Sequence, residues 1–172
     1  LSGCPGSVEY RNPFGMTGRK QELKERLNRE FEICDRHIQR ISEALEELSG
    51  LFPMSVEQYA RLDSNQVRCL DQFIFRFSKL QDAMGAKIFR NLLEYLDEDV
   101  TALPMRDVLN RLERYHLLDS AEEWGYIREL RNEIAHDYPL MENDVVTILN
   151  ELASKVPVLL TVYDRLKAVA ES

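Results

Sequence analysis

Arg131, Asn132 and His136 fall within six positions of one another, and their side chains together could hold an anion and move a proton. A guanidinium keeps its proton and presents five N–H donors. A carboxamide both gives and accepts hydrogen bonds, and an imidazole exchanges a proton near neutral pH. On an ideal helix with Ile127 at zero, Ile134 falls near about 340°, Leu130 near about 300° and Trp124 near about 60°, which defines a buried stripe. Arg131 falls near about 40° on the same wheel, and a guanidinium there has to find an anion or acceptors. Asn132 and His136 are four apart and share a line on the flank of that stripe. The negative end of the helix, just before Pro139, favours a protonated His136, and Tyr138 follows with its phenol free to point into the same region. Singly, each residue has a plainer reading: a histidine cap, or an arginine paired with one of 30 acidic residues in the core. Three such groups on one apolar flank shift the balance toward a functional site, without fixing its chemistry.

The elements that must position these groups read as helices. Leu23, Leu27, Phe31, Cys34, Ile38, Ile41, Leu45 and Leu48 step by three or four, predicting a first helix from about Arg19 to Leu48. Gly50 and Pro53 end it. A second helix is expected over Val56–Leu96, with Val67, Leu70, Ile74, Phe77, Gln81 and Met84 on one stripe, widened by Phe73 and Leu80. Gly85 within it marks a bend or a close contact. Pro104 suits the first turn of a third helix carrying Val108, Leu109 and Leu112. Ser120 and Glu123 match a capping box for the fourth, the one that carries Arg131. Pro139 stops it, and a fifth runs from about Glu142 to Val169 with a kink at Pro157. The expectation is all-α: an up-and-down bundle of four to five helices.

Length and composition are consistent with this. The 172 residues suit one domain, and 30% charged residues with only 7 glycines favour helices over turn-rich sheets. Residues 1–15 are rich in Gly and Pro, without periodicity or the basic start and apolar middle of a signal peptide. They read as an expression tag or vector remnant, with the native start at Met16 and a single helical domain over 16–172. No stretch approaches the roughly 18 apolar residues of a membrane span. Cys4, Cys34 and Cys69 are an odd count without metal-ligand spacing, and His37, His116 and His136 lie far apart, so neither metal nor cofactor is expected. Buried thiols fit a reducing cytoplasm. A net charge of −8 argues against a protein that coats nucleic acid non-specifically, and no DNA or membrane partner is expected.

The segment Arg131-Asn132-Glu133-Ile134-Ala135-His136 resembles the HEPN signature: Arg, a polar residue, three variable residues, then His. Extended through Tyr138, it is similar to the HepT toxins, partners of MNT minimal nucleotidyltransferase antitoxins. Phe73–Asp82 and Ala121–Trp124 also look like members of this group, and the resemblance covers Gln21 to the C-terminus. It implies a homodimer in which two copies of the motif face one cleft. It also implies metal-independent cleavage of RNA by attack of the 2′-hydroxyl on the neighbouring phosphodiester. In that scheme His136 moves protons, Arg131 binds the phosphate and Asn132 orients the imidazole or the phosphate. Tyr138 is the expected acceptor of AMP from the MNT partner, a modification that blocks the RNA site with bulk and charge. Asp82 and Lys79, three apart on one helix face, are secondary candidates, Asp82 as an anchor for Arg131 or His136. Arg76, set among Phe73, Ile74 and Phe77, is another, or a residue of the dimer interface. The competing readings are a non-catalytic module that presents a nucleotide or substrate to a separate nucleotidyltransferase, and a plain helical dimerisation domain with Arg131 in an ion pair.

Overall fold

Leu27, Phe31, Cys34, Ile41 and Leu48 recur at helical spacing and are all buried, so the first helix lays one long apolar edge into the core. A computed structural model describes residues 13–135 and 141–172, and those residues form an all-helical bundle. In chain order its helices are α1 (Pro13–Glu47), α2 (Val56–Ala60), α3 (Ser64–Ala83), α4 (Phe89–Tyr95), α5 (Met105–Arg114), α6 (Ala121–Ala135) and α7 (Glu142–Glu171). A π-helical turn, Met84–Ile88, joins α3 directly to α4.

α1 lies along α3 and α4, α7 packs on α6 and α1, and α5 bridges α4 and α6. Phe73, Phe77, Phe89, Leu92, Ile127, Leu149 and Leu152 meet at the centre without exposure. A polar lock joins α7 to α1: the Tyr163 hydroxyl donates to Asp35 Oδ1 (2.7 Å) and Lys167 donates to Oδ2 (2.9 Å). Partial burial pushes the Asp35 carboxyl up, but these two hydrogen bonds outweigh it and hold the group below the usual range. Burial pushes the nearby Cys34 thiol up to about 12, with Glu30 adding to the effect, so it stays a neutral core group.

Several boundaries differ from the sequence expectation. α1 starts at Pro13 rather than Arg19, because a proline in the first helical turn gives up no hydrogen bond and arrives with its φ already set. It ends at Glu47, where Gly50 takes the left-handed φ of 80° that the turn requires. The expected helix over Val56–Leu96 is three pieces. Asp63 caps α3 through the amides of Asn65 and Gln66 (2.8 Å each), while the Gln66 side chain returns to the Asp63 amide (3.0 Å). Ser55 and Gln58 make the same reciprocal box for α2. The α3 stripe is rotated as well, centring on Leu70, Phe73, Phe77 and Leu80 and leaving Val67 exposed. α7 continues as one helix through Pro157, which faces solvent. By length and composition α7 is also apolar enough to cross a membrane, its best 18-residue window having a mean hydropathy of 1.5. Its Leu149, Leu152, Leu159, Val162 and Leu166 are spent on the bundle core.

Candidate functional site

Local sequence sets the angle at which α6 presents Arg131. Ser120 Oγ accepts the Glu123 amide (3.1 Å), and the Glu113 carboxylate accepts the Ala121 amide (2.8 Å), so the helix starts with two of its amides satisfied. The return arm of the expected box is not used: Glu123 pairs with Lys155 of α7 instead (2.8 Å). Trp124, Ile127 and Leu130 are buried. The Trp124 ring packs on Phe89 at 4.6 Å between centroids and lies against Gly85, where a Cβ would sit 3.6 Å from the indole. The expected close contact at Gly85 is thus a seat for Trp124 inside the π turn.

One residue beyond Leu130, Arg131 is half-buried with its side chain 20% exposed. Its Nε donates to Gln81 Oε1 (3.3 Å) and Nη2 donates to the Asp82 carboxylate. Gln81 is only 2% exposed, a carboxamide inside an otherwise apolar stripe, whereas Asp82 is half-exposed. Both acceptors sit in the last turn of α3, directly before the π turn, an irregularity that recurs at functional sites. Of the five guanidinium N–H donors, two are used by acceptors among the described residues.

Arg131 opens into a shallow groove of about 450 Å³ between α3 and α6. Ile74, Phe75, Lys79 and Asp82 line it from α3, and Ile134 and Ala135 from α6. Phe75 is 53% exposed, a large aromatic ring on a helix face that should be polar. Two cations lie over it: Lys79 Nζ at 5.5 Å and the Arg76 guanidinium at 5.4 Å from the centroid. Arg76 also reaches back to α1, with Nη1 3.2 Å from His37 Nδ1. A guanidinium only donates, so His37 Nδ1 is the acceptor and the ring is neutral. Burial, then the charges of Arg76, Lys79 and Arg36, hold His37 below its ordinary pKa.

The expected site residues therefore divide. Arg131, Asp82 and Lys79 meet in the groove. Arg76 points from its neighbouring face toward His37. Asn132 is half-buried on α6 but does not line the groove. His136 and Tyr138 lie outside the described residues. Gln81, Phe75 and His37 enter the site without having been singled out for it, although a glutamine in an apolar stripe and a phenylalanine off it were visible signals. Among the described residues, no group of three or more His, Cys, Asp or Glu side chains is placed to hold a metal ion.

Fold and groove define an all-α helical bundle with a cation-bearing cleft between α3 and α6. No protein-family model matches the chain, and no curated protein or solved structure matches it.

Proposed function

We propose that this chain is a metal-independent endoribonuclease of the HEPN type, a HepT-like toxin held in check by an MNT nucleotidyltransferase antitoxin. The observation that carries the reading is the position of Arg131: a half-buried guanidinium on α6, aimed by Gln81 and Asp82 into an open groove with Lys79 at its edge. Three N–H donors have no acceptor among the described residues and can serve a phosphate, which can also take over the Nη2 donor by displacing Asp82. The reaction is a transesterification. The RNA 2′-oxygen bonds to phosphorus, the bond to the 5′-oxygen breaks, and a 2′,3′-cyclic phosphate and a 5′-hydroxyl result. His136, which follows the last residue of α6 in the chain, takes the 2′ proton or supplies the leaving-group proton, and Arg131 stabilises the developing charge. Asn132 orients one of these partners. The working form in this reading is a cytoplasmic homodimer whose up-and-down bundles bring two motifs to one cleft, with AMP transfer to Tyr138 as the off-switch.

The test is cleavage of single-stranded RNA by the purified chain in EDTA. His136→Ala is expected to abolish it with the helical circular dichroism unchanged, and Arg131→Ala to slow it by about 10²- to 10³-fold. Equal cleavage by His136→Ala overturns the assignment.

A second reading is favoured by one contact. Asp82 already neutralises Arg131, as befits a non-catalytic module that presents a nucleotide to a partner nucleotidyltransferase. It predicts nucleotide binding in calorimetry with no RNA turnover.

A further inference from the structure

We infer that Phe75 is a stacking platform for one unpaired base of a single-stranded RNA whose backbone runs from the Arg76/Lys79 cations to Arg131. The inference rests on the ribonuclease reading for its ligand class but uses none of its catalytic steps.

An exposed phenylalanine has an energetic reason to be covered, and three features here specify the cover. The ring stands more than half out of the surface while its helix neighbours Phe73 and Phe77 are fully buried, so it is not needed for the core. Cations lie over it from positions one and four residues on, at 5.4 and 5.5 Å, on long side chains that a seated base would displace toward its own phosphates. The same groove continues to Arg131, so one strand can reach both the ring and the guanidinium. Arg36 adds positive charge on α1 close to the neutral His37, while Asp71 and Asp82 are the carboxylates facing the groove. In a chain of net charge −8, such a gathering of cations around an aromatic ring is a local exception, and it complements a polyanion with exposed π faces. A duplex keeps its bases stacked on one another and has no free face to give the ring. An acidic protein segment would satisfy the cations, but its carboxylates gain nothing from the apolar face of the ring, which a nucleic-acid base covers by stacking.

The experiment measures binding by fluorescence anisotropy, in EDTA, of a labelled single strand and of the matching duplex, both 2′-O-methylated so that neither can be cut. Phe75→Ala is expected to weaken single-strand binding about 5- to 150-fold, the usual contribution of one stacked base, and to leave duplex binding unchanged. Phe75→Trp is expected to restore affinity, with its added indole fluorescence quenched when the strand binds. The inference is overturned if wild-type protein ignores the single strand, if Phe75→Ala binds it as tightly as wild type, or if both RNAs weaken alike. It is equally overturned if Phe75→Ala changes only the sedimentation of the protein, since the ring is then an interface between chains. Cleavage of unmodified RNA separates the two claims. Phe75-dependent binding without cleavage removes the ribonuclease reading alone, and cleavage with Phe75-independent binding removes the platform alone.

Discussion

At the scale of single residues, Asp82 holds the guanidinium that an incoming phosphate would need. A carboxylate about 4 Å from a bound anion costs roughly 1 kcal/mol even in water, about fivefold in affinity. Asp82→Asn is therefore expected to tighten RNA binding about fivefold in anisotropy. Weaker binding would mean that Asp82 sets the aim of Arg131 more than it competes for it. His37 gives a pH prediction. Its pKa is depressed in the folded chain by burial and by Arg76, Lys79 and Arg36, so the unfolded chain takes up the proton more readily. Its stabilising contribution is complete above the ordinary value of 6.5 and fades as pH falls below it. Thermal melts of His37→Gln should lose less between pH 7 and 5.5 than those of the wild type. Parallel curves would exclude His37 as the titrating group.

At the scale of elements, the π turn joins α3 to α4 and meets α6 at Trp124. Gln81 and Asp82 reach Arg131 of α6 just before it, while Gly85 receives Trp124 and Phe89 packs on the indole at a tilt. Space alone does not require the glycine, since a Cβ would sit at ordinary contact distance, 3.6 Å from the indole. Gly85→Ala should remove backbone entropy from the unfolded chain and raise Tm by about 2–4 °C. A fall in Tm would show that the turn needs glycine for its geometry.

At the scale of the whole molecule, a formal charge of −8 sits beside a local cluster of cations. Among the described residues, Arg76, Lys79 and Arg131 are the cations placed to meet phosphates along the proposed strand, so few counterions are released on binding. The logarithm of the RNA association constant should fall with the logarithm of salt at a slope of about −2, a loss of about 15- to 20-fold between 50 and 200 mM. A slope beyond about −5 would require a broad basic face that this charge distribution does not supply.

The helices themselves were legible in the order of residues. Leu27, Phe31 and Cys34 announce a buried edge, Ser120 announces the start of α6, and the wheel that sets Arg131 beside Ile127 and Trp124 matches its half-buried place. Such features follow from a 3.6-residue period and from local capping, both of which act within a few residues along the chain. The break at Asp63 was also locally encoded, but the apolar period running on through it masked the cap. The partners lay beyond such reasoning. Nothing nearby in sequence says that Arg131 meets Gln81 and Asp82 fifty and forty-nine positions earlier, or that Arg76 turns to His37 across α1. Those contacts depend on how α3, α6 and α1 rotate against one another, and that rotation is settled by the packing of Phe73, Phe77, Phe89 and Trp124 in a shared core, which no single helix contains.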